Sequence, residues 1–182
     1  MMKKALAGLG LVLLVTTLVL IYRVRSAPPA SPHDTVTYSQ GGLDIKVSYS
    51  RPYKKGRLIF GEKSAGALVP FGKYWRLGAN AATEITLSKN VQFAGKPLLA
   101  GTYRMYAIPG ATTWKIVLNS QPGKFGYFEP DHEKDVLSVE VPAETGADSV
   151  EQFTIRVSGE PSAARVELIW DTTVVRVPVV AG

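Results

Sequence analysis

From Thr35 onward, short runs of alternating apolar and polar residues are broken every few positions by turn-forming residues, and this rhythm most limits the fold. Leu43, Ile45, Val47 and Tyr49 alternate with Asp44, Lys46 and Ser48, the pattern of a strand with one buried face. Residues 83–89 repeat it with Ile85 and Leu87 inward. Turns at Gly95 and Lys96 and at Ala100 and Gly101 bracket 97–99, and further segments cover 102–109, 113–119, 135–142, 150–157, 164–170 and 173–180. About nine or ten evenly spaced strands of ordinary length predict an all-β domain. The links are too short for crossover helices, so the pairing is expected to be antiparallel. The expected architecture is a two-sheet sandwich with jelly-roll-like connections, with a partly closed barrel as the alternative. One short helical turn is allowed within 66–75. The last segment, apolar on both faces, carries Pro178, which cannot donate to a ladder; it is read as an edge strand or as ending at Val177.

The N-terminus follows another rule. Residues 5–22 carry no charge, and as a helix they would reach roughly 27 Å, close to the hydrocarbon thickness of a bilayer. Val24 and Ser26 could serve a cleavage site before Ala27, but Arg23 and Arg25 lie where a neutral cleavage region belongs. The expectation is therefore an uncleaved signal anchor over 1–26, with one transmembrane helix at 5–22. Lys3, Lys4 and the free amine outweigh Arg23 and Arg25, which places the N-terminus inside and the domain outside the cytoplasm, on a periplasmic or extracellular face. Residues 27–34 are a Pro-rich extended linker, and 35–182 form the β domain.

Charge and cysteine usage exclude several functions. Taking those four basic residues from the 21 Lys and Arg leaves 17 against 15 acids, so the net charge of +6 belongs mainly to the anchor. A nucleic-acid partner is disfavoured accordingly. The chain has no Cys, which removes disulfides, thiolate metal sites and thiol nucleophiles. No G-x-S-x-G or Gly-rich phosphate loop occurs.

Residues 51–83 are the candidate site. Seven Lys and Arg face a single acid, Glu62, and Tyr53, Phe60, Phe71, Tyr74 and Trp75 lie between them. A long ordered loop of this kind in a compact domain points to function. Arg51 and Arg76 offer planar forks for carboxylate or phosphate, Asn80 adds a donor and an acceptor, and Tyr53 and Trp75 offer faces for a sugar ring. The competing reading has Arg76 paired with Glu84, Asn80 holding a turn and Trp75 plugging the core. Phe125, Tyr127 and Phe128 read either as a stacking platform or as a cover for an open end of the sandwich. Asp131, His132, Glu133 and Asp135 lack the spacing of a known metal loop, and no metal or cofactor is expected. A Ser–His–Asp triad would need His33 or His132, and a pair of carboxylates, Glu84 among them, would be needed for glycoside hydrolysis.

Several motifs occur in a fixed succession: YSRP at 49–52, RLIFG at 57–61, LVPFGKYWRLGAN at 68–80 with Thr83, AGTYRMYAIPG at 100–110, WKIVLN at 114–119, DVLSVEV at 135–141 and EQFTIRV at 151–157. Together they resemble the DUF2911 family of bacterial envelope proteins, over roughly residues 38–169, with WR-x-GAN the distinctive element. The resemblance implies one exported β-rich domain and supplies no catalytic residue, because the family has no agreed activity. The expected function is a membrane-anchored module that binds a small anionic or carbohydrate ligand through Arg51, Tyr53, Trp75, Arg76 and Asn80. The alternatives are a carboxylate-dependent hydrolase of envelope glycans and an architectural interaction domain.

Overall fold

A computed structural model of the protein describes residues 14–22, 29–161 and 163–182. The chain divides into two units, Met1–Ala30 and Ser31–Gly182. In the first, residues 14–22 are helical. Among the described residues no helix is long and apolar enough to cross a membrane. The remainder of the expected span, 5–13, and most of the segment flanking it, 23–28, lie outside the described residues.

The second unit is built of strands: β1 (His33–Gln40), β2 (Leu43–Ser50), β3 (Phe60–Gly61), β4 (Val69–Pro70), β5 (Thr83–Leu87), β6 (Val91–Phe93), β7 (Lys96–Leu98), β8 (Gly101–Ile108), β9 (Thr113–Asn119), β10 (Asp135–Glu160) and β11 (Ala163–Ala181). Nine of them form one sheet in the order β1-β2-β5-β8-β9-β10-β11-β6-β7, and all its pairings are antiparallel. The other two, β3 and β4, make a small parallel pair.

The alternation read from the sequence sets which face is buried. Leu43, Ile45, Val47 and Tyr49 of β2 point inward, as do Ile85 and Leu87 of β5, Met105 and Ala107 of β8, and Trp114, Ile116 and Leu118 of β9. They share one core with Phe153 and Ile155 of β10 and with Val166, Leu168, Trp170, Val175, Val177 and Val179 of β11. The nine-stranded sheet thus folds over on itself in a sandwich-like way. Strand β10 makes the fold possible, because its first part pairs with β9 and its second with β11. Register shifts between Thr145 and Val150 and between Val150 and Thr154 supply the bend. Each large aliphatic side chain buried here contributes about 1.5–3 kcal/mol.

Several expectations change in detail. Segments 135–142 and 150–157 are parts of β10, and 164–170 and 173–180 are parts of β11. A bulge joins two short hydrophobic runs without ending the strand, so turn residues between them mislead. Strand β1 begins at His33, two residues inside the segment read as linker. The short helical turn is a 3-10 turn at Lys63–Ala65, ahead of the expected 66–75. Strand β11 neither ends at Val177 nor lies at an edge, since β10 and β6 flank it. Pro178 is tolerated because pairing with β10 has stopped at Val175, while its carbonyl accepts from Ala94 N–H at 2.8 Å.

Candidate functional site

Residues 51–83 run over the sheet as an ordered segment, fastened at many points. Lys54 N–H donates to Glu151 C=O at 2.6 Å, and Phe153 N–H donates to Pro52 C=O at 2.9 Å, so the entry of the segment lies along β10. Strands β3 and β4 tie its middle. Trp75 then pairs with Ala107 of β8 through reciprocal backbone bonds of 2.8 and 2.9 Å. Gly78 passes so close to β2 that a Cβ there would stand 2.4 Å from Ser50 O, and its φ of +136° is open only to glycine.

A second segment, 120–134, docks on the first. Gly126 N–H donates to Asn80 C=O at 3.0 Å, and Ala82 N–H donates to Lys124 C=O at 3.2 Å. A Cβ on Gly126 would meet Arg76 Cδ at 2.7 Å and Ala82 N at 2.9 Å, so only glycine permits this approach. Where the segments meet, a pocket of about 220 Å³ is lined by Leu68, Val69, Pro70, Tyr74, Trp75, Arg76 and Tyr127. The Arg76 guanidinium carbon stands 5.7 Å from the centroid of the Tyr127 ring, and among the described residues no carboxylate lies within 4 Å of it. Tyr127 is 67% exposed, with Phe128 and Phe125 beside it at centroid distances of 5.4 Å from Tyr127 to Phe128 and 6.5 Å from Phe128 to Phe125.

The five residues singled out from the sequence are dispersed. Trp75 and Arg76 border this pocket, but the Trp75 ring belongs to the core: it is 6% exposed, stacks on Trp170 at 5.8 Å and meets Phe60, Trp114 and Phe153 edge-on. Arg51 is a clamp, donating to Phe153 C=O, to Thr154 Oγ1 and to Asp34, the last at 3.1 Å. Tyr53 lies against β10, opposite Gln152. Asn80 is exposed, with φ of +56°, and its side chain donates to Ser31 C=O at 3.4 Å. Glu84 does not pair with Arg76; its carboxylate accepts from Gly123 N–H.

Sequence reading missed what lies under residues 120–134. Strand β8 presents Arg104 and Tyr106, and β9 presents Asn119, on the face opposite the core, yet all three are buried, at 2%, 1% and 0% exposure. One terminal nitrogen of Arg104 donates to Tyr74 Oη and to Phe128 C=O, both at 2.5 Å. Arg104 Nε is buried without a partner, and no carboxylate among the described residues lies within 4 Å of the guanidinium. Tyr106 Oη donates to Asp135 Oδ2 at 2.7 Å and stands 2.9 Å from His132 Nδ1. Asn119 donates to Asp135 Oδ1 and to Asp131 C=O, both at 2.8 Å. Burial and the Asp135 carboxylate hold the Tyr106 phenol far above its ordinary pKa, so it stays a donor. The hydrogen bond to Asp135 raises the His132 pKa. The signal available in the sequence was Arg104, Tyr106 and Asn119 at outward strand positions beside a Gly/Pro-rich segment, which reads equally well as a solvated face.

Two further pockets carry less chemistry. One of about 330 Å³ holds His33, Ser48, Glu84, Lys124 and Phe125 among its lining residues. His33 Nε2 stands 3.2 Å from Ser48 Oγ, but among the described residues no carboxylate accepts from its other nitrogen, so a triad is incomplete. The other, about 260 Å³, contains Asp44 as its one acid. None of the three pockets is lined by two carboxylates.

No curated protein and no solved structure matches the chain. A family model does match, and it covers residues 31–179, the β unit almost to its end. On that match the chain belongs to the DUF2911 family, described as protein of unknown function.

Proposed function

We propose that the protein is a binding module for a small anionic or carbohydrate ligand, which it takes in the pocket between Leu68–Pro70, Tyr74, Arg76 and Tyr127. The observation that carries this reading is Arg76. Its guanidinium lies over an aromatic ring at the border of a pocket, with no carboxylate within 4 Å among the described residues. The volume of about 220 Å³ is below the roughly 300–1,000 Å³ of drug-sized sites, which suits a molecule with one ring or one unit of a longer ligand. Of the residues proposed from the sequence, Arg76 remains the main contact. Trp75 also lines the pocket, and Arg51, Tyr53 and Asn80 lie outside its lining.

The carboxylate-dependent hydrolase gains no support from pockets with at most one acid each. An anchored module facing outward is part of the same proposal, supported by the uncharged run at 5–22 and its flanking lysines. So is a two-sheet sandwich with jelly-roll-like crossings: the chain leaves β5 for the β6–β7 hairpin at the far edge and returns to β5 with β8.

The test is calorimetric titration of the folded chain with small carboxylates and monosaccharides. Binding is expected to weaken at least about tenfold in Arg76→Gln and in Tyr127→Ala, since each removes a main contact. Unchanged binding in both variants, with the fold intact, would remove the pocket from consideration.

A further inference from the structure

We infer that this pocket selects a carboxylate-bearing sugar over its neutral counterpart, with Arg104 acting as a positioning residue behind Tyr74. The inference rests on the binding reading above and decides between the two ligand classes it leaves open.

Tyr74 lies close to two cations. Arg76 borders the pocket with it, and Arg104 donates to its hydroxyl from the buried side, with the guanidinium carbon 5.8 Å from the Tyr74 ring centroid. Neither arginine has an acid within 4 Å among the described residues. Glu84 stands directly opposite Arg104 in the β5–β8 register, but its carboxylate is turned to Gly123 N–H. Elsewhere on the same domain Arg51, Arg165 and Arg176 are paired with acids, and Arg57 and Arg156, which are not, are exposed; Arg104 is buried. A buried guanidinium left without a counter-charge is costly, and Arg104 even keeps an unbonded Nε. An anion in the adjoining pocket would offset part of that cost through a low-dielectric path that salt screens weakly.

Geometry divides the work among the side chains. Arg76 offers its fork to a carboxylate. Tyr127, largely exposed, and the apolar wall of Leu68, Val69 and Pro70 suit the flat faces of a pyranose ring. Tyr74 Oη accepts from Arg104 and donates to Gly126 C=O at 2.9 Å, which fixes its ring as the inner wall and places the Arg104 charge behind it.

The experiment titrates the folded chain with D-glucuronate, D-glucose and inorganic phosphate, at low and at physiological salt. Glucuronate is expected to bind at least about tenfold more tightly than glucose, the equivalent of roughly one charge-assisted contact. Arg104→Met and Tyr74→Phe should both shrink that preference severalfold, by nearly the same factor at low and at physiological salt, while Arg104→Lys restores it; a merely structural role for Arg104 would leave the ratio unchanged. Glucose binding as tightly as glucuronate would leave the pocket a binding site and overturn the selection of an anion. Phosphate binding as tightly as glucuronate would overturn the sugar. No binding of any of the three would end the underlying reading and this inference with it.

Discussion

Strands β8 and β9 carry two opposed environments on their two faces. Inward, Met105, Ala107, Trp114, Ile116 and Leu118 join the single apolar core, against Phe153 and Trp170. Outward, Arg104, Tyr106 and Asn119 are equally hidden from solvent, but beneath residues 120–134 and within a polar network. Equal burial therefore arises in two ways. Packing area stabilises the inner face, and each contact there is non-directional. The outer face depends on satisfied hydrogen bonds, and it leaves one charge unsatisfied at Arg104. The first face specifies the fold; the second fixes the segment that walls the pocket.

The strongest way to break this comparison is Trp75→Ala. The ring touches four other aromatics, and its removal should cost about 3–5 kcal/mol in urea unfolding. Loss of under about 1 kcal/mol would mean that the pocket lining at Trp75 is not part of the core. On the outer face, Tyr106→Phe keeps the ring and deletes the donor to Asp135, with an expected cost of about 1–2 kcal/mol. A cost as large as that of Trp75→Ala would erase the distinction between the faces.

His132 tests the rim of the network. It is about half exposed, and its hydrogen bond to Asp135 raises its pKa in the folded state. A raised folded pKa means that protonation favours the native state. The contribution is complete below the unfolded value near 6.5 and disappears as pH rises through the folded value. His132→Gln should flatten that part of the stability-against-pH curve, measured by thermal melts between about pH 5 and 9. A curve parallel to that of the unmodified protein would leave the network indifferent to His132. The smallest effect on stability is expected for Arg76→Gln, about 0.5 kcal/mol, because its charge meets the exposed Tyr127 ring and, among the described residues, no acid within 4 Å. That variant should lose ligand with little change in melting temperature, whereas Trp75→Ala lowers the melting temperature.

How far each feature was legible depends on how local its cause is. The alternation at 43–49 and 83–87 gave β2 and β5 correctly, since a period of two needs only neighbouring residues. The joining of 135–142 with 150–157 into one bent strand was not legible, because the bulges follow from pairing with two different partners. The same holds for the site. Aromatic and basic residues at 51–83 were visible, but Trp75 in the core and Arg76 at the pocket are adjacent positions of similar promise, separated by alternation across a bridge to Ala107. Arg104 read as one more outward strand position, because its burial comes from residues 120–134 folding over it.

The sequence by itself determined the all-β class, the inward faces of the main strands and membership of the DUF2911 family. Those follow from local periodicity and from motifs contiguous in the chain. Tertiary structure alone decided which charges are paired. It gave Arg51 to Asp34 and Glu84 to Gly123, and it left Arg76 and Arg104 beside Tyr74 without an acid within 4 Å among the described residues. Pairing of charges is a matter of a few ångströms between residues distant in sequence, and no local pattern encodes it.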